Sequence, residues 1–509
     1  MSLKRFLSFC LLVSFSGFLL AGCFKKAPAP LKKQSGKIEL VYYKLFDDED
    51  VMQPLIQQYQ AKHPGLTIRY RKFVDPVEYE NLIINELAEG EGPDIFSAPN
   101  YWFLRNSKKL TPMPPALMTP QQFDQTFASV ASRDLAFPDA VDGQRRVFGL
   151  PLGVDTLALY YNKAAYEDAV PSRGRPAATW EQLKDDVFRL TKKDNSYERF
   201  QVAGIAMGRS DNVARAIDIL YMLMIQFKTK FYNDNVSRAV FASQQGTTIG
   251  GIIISPAAEA LKLYTSFALP TNKNYSWNAY LVMDPKADVK EMETFARGKA
   301  AMIFGYSYLY EQLKAEIKDL KDKGLQTIDP NSIRVSVVPQ VNDPATSTEK
   351  RDAYANYYAE TVARTSKHAQ ESWDFLNFLS SKDNLQYYNQ KTHKPASRRD
   401  LIEDQKKDPI YGVFAEQTGF AESFPIYDFQ RYNAIFSRAI DAVLATTPVE
   451  DALRIAEDGI NKLLPPGGLA ASPVAAAKGS PVKVSPAKAE QVPAASTKES
   501  SATRKSASK

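Results

Sequence analysis

Three observations predict an α/β fold. An apolar fraction of 44% with 24% charged residues is ordinary for a globular chain, which excludes wholesale disorder, collagen and a disulfide scaffold. Strand-like and helix-like periods alternate in β-α-β-α-β order from Ile38 to Phe96, which implies a mostly parallel sheet covered by helices. A second region of the same character begins near Val147. At 509 residues the chain has room for two large domains or three of ordinary size.

Ile38–Tyr43 is an apolar run that reads as the first strand. A helix follows, with Asp50 as N-cap and Gln53 at N3, and Val51, Met52, Leu55, Ile56 and Tyr59 on one face. His63-Pro64-Gly65 stops it. Leu66, Ile68 and Tyr70 alternate with Thr67, Arg69 and Arg71, a strand period. Tyr79, Leu82, Ile83 and Leu87 restore helix spacing until Gly92-Pro93, before the short strand Asp94-Ile95-Phe96. In open sheets of this kind ligands sit beyond the carboxyl ends of the strands, where Lys44–Asp47 and Asn100–Trp102 lie.

Val147–Tyr161 is strand-like but interrupted at Pro151 and Gly153, as a chain crossing between domains would be. Thr179-Trp180-Glu181-Gln182 is a capping box opening a helix with Trp180, Leu183, Val187 and Leu190 inward. Residues 205–295 contain helical runs and loops with no clear order. Phe295-Ala296-Arg297-Gly298 ends a helix before the strand Ala300–Phe304. Thr447-Pro448-Val449-Glu450 offers a cap, an N1 proline and an N3 glutamate, and the helix it starts ends at Pro465-Pro466-Gly467-Gly468.

The net charge of +6 is unevenly placed. Residues 1–37 carry +7 and residues 469–509 carry +5, so the body between them is −6. The basic pI therefore belongs to the ends, and nucleic acid is not expected as a partner. Lys4 and Arg5 precede the apolar stretch Phe6–Leu20. Its 15 residues fall short of the roughly 20 that span a bilayer and suit a signal-peptide h-region instead. The stretch ends in Leu20-Ala21-Gly22-Cys23, which resembles the bacterial lipobox. That resemblance implies a signal peptide over 1–22, lipidation of Cys23, and a mature chain anchored on the outer face of the cytoplasmic membrane, at the periplasmic or extracellular side. Residues 23–37 read as a Lys/Pro/Ala-rich tether. Residues 467–509, rich in Ala, Ser, Lys and Pro and without aromatics, read as a disordered tail. With Cys10 in the signal and Cys23 lipidated, the body has no thiol for a disulfide, a zinc site or a nucleophile.

The ordered motifs GPDIF (Gly92–Phe96), GLPLGVDTLALYYNK (Gly149–Lys163), ATWEQLKDDVFRLTKKD (Ala178–Asp194) and FARGKAAMIFGYSYL (Phe295–Leu309) point to one family. VSVVPQ (Val335–Gln340), AYANYYAETVA (Ala353–Ala363) and SWDFLNFLSSKDNLQYYNQKTHKPASR (Ser372–Arg398) continue the pattern. Over residues 38–465 the chain resembles the family 1 extracellular solute-binding proteins, which are maltose-binding-protein-like and serve ABC importers. The resemblance implies a two-lobed periplasmic-binding-protein-like fold of type II with the ligand cleft between lobes. One lobe would hold 38–150 and 357–400, the other 151–356 and 401–466. It also implies a monomer that captures a small solute, a sugar first of all, closes on it and delivers it to permease subunits, with no cofactor and no chemistry of its own.

Carried onto this chain, the resemblance places ligand contacts at Phe46 and Asp47 after the first strand, and at Asn100, Tyr101 and Trp102 after GPDIF. It adds Asp155 in the crossover motif, Tyr306 and Tyr308 after GKAAMIFG, and Tyr432 in a late helix. Trp277, in the Asn274–Asn278 loop, is a further candidate, whereas Trp180 and Trp373 read as core. Flat aromatics with carboxylates and amides suit a carbohydrate, which presents apolar C–H faces and a ring of hydroxyls.

His63, His368 and His393 form no HxxxH or HExxH pair, and no P-loop, dinucleotide fingerprint or nucleophile elbow occurs. Asp47-Asp48-Glu49-Asp50 lacks EF-hand spacing and reads as a helix N-terminal charge cluster, so no metal is expected. Two other classes stay open on sequence: a carbohydrate-active envelope enzyme using Asp47 and Asp155 as acid and base, and a structural envelope lipoprotein holding the wall through its basic tail.

Overall fold

The structure is a computed structural model that describes residues 37–193, 199–243, 247–249, 252–279 and 290–465. The signal segment, Cys23, the tether and the basic tail lie outside the described residues. The elements that frame the site begin with β1 (Ile38–Leu45), α1 (Glu49–Lys62), β2 (Leu66–Phe73), α2 (Pro76–Glu89) and β3 (Ile95–Pro99). β4 (Leu150–Pro151), β5 (Ala158–Asn162), α3 (Trp180–Leu190) and α4 (Ala216–Gln226) come next. After them run β6 (Met302–Gly305), α5 (Leu309–Asp322), β7 (Ile333–Ser336), β8 (Ala353–Tyr354) and β9 (Tyr358–Val362). The chain ends in α6 (Ala369–Leu379), α7 (Lys382–Thr392), α8 (Arg399–Gln405), β10 (Ala421–Glu422), α9 (Phe429–Leu444) and α10 (Val449–Asn461).

Two hydrophobic cores divide these elements. The first takes in side chains from Leu40 to Val154 and from Ala355 to Ile402, with Ala415 and Ala421. Its sheet runs β2-β1-β3-β9-β4; β1 is parallel to β2 and β3, while β9 is antiparallel to β3 and β4. The alternation of Leu66, Ile68 and Tyr70 inward with exposed Thr67, Arg69 and Arg71 is that of a half-buried strand. α2 starts at Pro76 behind Asp75, whose carboxylate accepts from the backbone N–H groups of Val77 and Glu78 at 2.8 Å each, and stops at Gly90 with φ 80°. Such a cap contributes about 1 kcal/mol.

The second core takes in Leu157 to Tyr354 and Ile410 to Leu464. Its three-stranded sheet, β6-β5-β7, is antiparallel throughout, not the mostly parallel arrangement expected for this region. Strand direction depends on the long excursions between β5, β6 and β7, and hydropathy does not encode it. α4 is buried on nearly every side, so it has no polar stripe to mark it as a helix. In α3, Trp180 donates its indole N–H to Gln226 of α4 at 2.7 Å, which joins the two helices.

Three passages join the cores: Val154–Leu157, Tyr354–Ala355 and the stretch between Ile402 and Ile410. The first two run side by side, with an antiparallel bridge between Thr156 and Ala355 and a 2.9 Å bond from Leu157 N–H to the Tyr354 carbonyl. Two helix starts differ from expectation. α1 begins at Glu49 behind Asp48, so Asp50 lies in its first turn rather than at the cap. α10 begins at Val449 behind Pro448, without a side-chain cap, because the backbone turns through Thr446 at φ 76° just before it.

Candidate functional site

A cleft of 500 Å³ lies between the two cores. Phe46, Pro76, Val77, Glu80 and Tyr101 line it from the first lobe; Arg215, Tyr306, Tyr308, Gln312, Phe429 and Gln430 line it from the second. Asn356, Tyr358 and Lys394, beside the crossing strands, complete it.

The carboxyl end of β1 supplies Phe46, which is 46% exposed and sits at φ 73°. A left-handed backbone at a bulky residue costs roughly 1–2 kcal/mol, so the sheet around it is holding the ring in place. Its N–H donates to the Phe73 carbonyl at 2.7 Å, and its ring meets Tyr358 edge to face at 5.9 Å. Across the cleft the Gly305-Tyr306-Ser307-Tyr308 turn leaves β6. A Cβ on Gly305 would stand 2.1 Å from Leu309, so only glycine permits this close return into α5. Tyr306 and Tyr308 then lie with centroids 6.1 Å apart, and the Arg215 guanidinium sits over both rings at 5.4 and 5.8 Å. Tyr308 is 44% exposed, whereas Tyr306 is buried with its hydroxyl donating to Asp218 at 3.1 Å.

Asp155 stands in the first crossing, and its carboxylate accepts from the Ser307 hydroxyl at 2.7 Å and the Ser307 N–H at 3.2 Å. It braces the tyrosine-bearing turn against the hinge. Burial pushes its pKa up to about 6 despite those hydrogen bonds. Asp47 is drawn inward. Tyr388 and Lys394 donate to its two oxygens, and Lys44 pairs with it at 3.2 Å. Burial alone would raise its pKa, but Lys394 and Lys44 outweigh burial and hold it well below the usual carboxylate range. Lys44 also pairs with Glu360 on β9, which accepts from Tyr42 at 2.8 Å and from Ser97. Asp47 therefore reaches the cleft only through Lys394.

Asn100 is buried, with its amide donating to Asp134 at 2.9 Å. Asp134 also accepts from Tyr357 at 2.8 Å and from Ser423 of the other lobe, so Asn100 belongs to a bond between lobes and not to the cleft wall. Tyr101 does line the cleft, stacked on Phe429 at 4.7 Å and 7°. Beside it Arg105 lies over the Tyr427 ring at 4.4 Å, a second contact across the lobes.

Three aromatic expectations are corrected. Trp102 is 4% exposed and packs edge-on to Phe96 at 5.8 Å, reaching only a recess of 200 Å³ beside the cleft. Trp277 is fully buried, its indole N–H satisfied by Asn212 at 2.7 Å. Tyr432 is buried on the inner face of α9 and bonded to Tyr232 at 3.1 Å. For Trp277 and Tyr432, a buried indole or phenol with its polar tip satisfied is a core group. The sequence reading missed Tyr358, Arg215, Phe429, Lys394 and the amides of Gln312, Asn356 and Gln430. An aromatic at the start of a strand in AYANYYAETVA was the only signal available for one of them, Tyr358.

Residues 46–386 match the family described as bacterial extracellular solute-binding protein. The chain belongs to that family. A proposed binding protein of Brucella abortus (strain 2308) is 24% identical over 330 residues, which cover 64% of this chain and 67% of the relative. Among solved structures, an ABC transporter solute-binding protein from Thermotoga lettingae bound with α-D-tagatose is 21% identical with TM-score 0.59, over 84% of this chain and 99% of that one. The sugar-binding protein MalE from Xanthomonas citri is 15% identical with TM-score 0.64, over 84% and 97%. These likenesses establish the two-lobed solute-binding fold, and in this solute-binding protein the aromatic cleft occupies the space between the lobes.

Proposed function

We propose that this solute-binding protein is anchored by lipid at Cys23, captures a sugar or oligosaccharide between its lobes, and hands it to an ABC import permease. The observation that carries this reading is the cleft itself. Aromatic rings face each other across it from both lobes: Phe46, Tyr101 and Tyr358 on one side, Tyr306, Tyr308 and Phe429 on the other. Glu80, Gln312, Asn356 and Gln430 stand among them as acceptors and donors for hydroxyls. Both cations at the cleft are already neutralised, Lys394 by Asp47 and Arg215 by Asp218 at 3.7 Å, which favours an uncharged ligand. Recesses of 200 and 160 Å³, lined in part by Trp102 and Asn100 respectively, share Tyr101 with the cleft, and that continuity favours more than one sugar ring, with those two residues beside the outer ring and not in the cleft itself. The relatives bound to sugars support the same class.

Since each wall belongs to a different core, a ligand that touches both stabilises the closed arrangement. The permease then reads closure. The lipobox supports the anchor, and replacing Cys23 by serine is expected to move the protein from the detergent to the aqueous phase in phase partitioning. The enzyme reading is disfavoured by Asp47: it is buried, does not line the cleft, and is held ionised by two lysines and a tyrosine, which makes it a poor acceptor of a substrate proton. A thermal-shift screen of the full chain against sugars and polyols tests the proposal. A ligand at 100 times its dissociation constant adds about 2.7 kcal/mol, and no stabilisation by any of them would overturn it.

A further inference from the structure

A second cavity, of 330 Å³, shares no lining residue with the cleft, although the adjacent residues His393 and Lys394 line one each. It lies between α7, α8 and the third passage between the lobes. Asn389 of α7 lines it and is 6% exposed. Its Nδ2 donates to the Leu152 carbonyl at 3.1 Å, which fixes the amide's orientation and leaves Oδ1 buried with no hydrogen-bond donor. An acceptor buried in that state costs free energy that a donor entering the cavity would recover. His393, held at φ 55°, stacks on Tyr411 with centroids 4.6 Å apart and planes 8° from parallel, making a flat apolar wall. Gln386 and Gln390, both exposed, add amides from the same helix.

The charges nearby narrow the ligand. Asp408 accepts from the backbone N–H groups of Ile410 and Tyr411 at 2.8 Å each, and Asp404 from Lys407 at 2.7 Å. Asp404 is thus paired with a cation and Asp408 has one oxygen engaged by the backbone, and no lysine or arginine lines the cavity to hold an anion. What the walls leave unmet is an acceptor, two free amides and an aromatic face. We propose that this cavity is a second binding site, for a neutral polyhydroxylated molecule of about one sugar ring. The site goes beyond the cleft's role and does not depend on it. Asn389 packs with the first core and Tyr411 with the second, so occupancy is linked to lobe position and hence, reciprocally, to cleft affinity.

The test is saturation-transfer NMR on the full chain carrying Tyr308→Ala, which weakens the cleft, with D-glucose, D-galactose, D-mannose, D-xylose, D-glucosamine and D-glucuronate as probes. At least one neutral monosaccharide is expected to receive saturation. Adding His393→Gly, which suits the left-handed backbone, and Gln390→Ala is expected to weaken that binding at least tenfold. If this variant fails to fold, Gln386→Ala with Gln390→Ala, at two exposed positions, is expected to lower binding in the same direction. No transfer to any neutral probe, transfer unchanged by the cavity substitutions, or transfer only to glucosamine or glucuronate would each overturn the proposal. Failure of the cleft reading is seen separately, in the chain carrying the cavity substitutions alone, as sugar binding that adding Tyr308→Ala does not weaken.

Discussion

Replacing Asp155 by asparagine removes a charge that the hinge holds at a cost. Its pKa rises from the ordinary 3.8 to about 6 because burial penalises the carboxylate more than the Ser307 hydrogen bonds favour it. Between about pH 4 and pH 6 the folded chain therefore keeps a proton that the unfolded chain has released. The contribution of this group to stability is present below the unfolded value and is lost as pH rises through the folded one. At 1.36 kcal/mol per tenfold change in proton affinity, the full loss above pH 7 is about 3 kcal/mol. Asparagine still accepts from the Ser307 hydroxyl, and the hydrogen bonds that favour the carboxylate are already contained in that pKa. Asp155→Asn is thus expected to be about 3 kcal/mol more stable than the parent at pH 7.5, and about equal to it at pH 4. Urea unfolding followed by circular dichroism at both pH values reads this directly, and titrations of other groups cancel in the comparison. An equal stability difference at the two pH values, or a loss at pH 7.5, would refute the assignment of burial as the dominant effect.

Phe46→Gly relieves the left-handed strain while removing the ring, so stability should stay within about 1 kcal/mol of the parent while sugar affinity measured by calorimetry falls at least tenfold. Glu360→Ala leaves Lys44, only 2% exposed, with Asp47 as its remaining carboxylate, and should cost about 3–5 kcal/mol in urea unfolding; a loss below 1 kcal/mol would mean the pair is not buried as described. Trp277→Ala should cost about 3–5 kcal/mol by the same measure yet leave sugar affinity unchanged, since the indole is fully buried on Asn212 and does not line the cleft.

The first lobe was legible because its strands and helices carry clean periods: Leu66, Ile68 and Tyr70 alternate, and Tyr79, Ile83 and Leu87 share a helix face. The carboxyl end of β1 was legible as a sheet edge for the same reason, and Phe46 there lines the cleft. The second lobe was harder to read. α4 is buried on nearly every face, so it lacks a polar stripe and left residues 205–295 without an order, which hid Arg215 just before it. Trp277 looked like an exposed loop aromatic because nothing nearby in sequence announces Asn212, 65 residues away, as the partner of its indole. Tyr432 carries the inward spacing of α9 with Phe436, Ile440 and Val443, a core pattern that the family motif overrode. Asp47 sits one residue from the cleft-lining Phe46, but its burial depends on Tyr388 and Lys394, more than 300 residues later.

The crystal structure of the full chain with the most stabilising sugar from the thermal screen tests the central claim most directly. The account predicts the sugar between the lobes, with a ring face on Tyr308 or Phe46 and hydroxyls bonded to Glu80, Gln312, Asn356 or Gln430. A cleft that stays empty while the protein is stabilised by the sugar would contradict it.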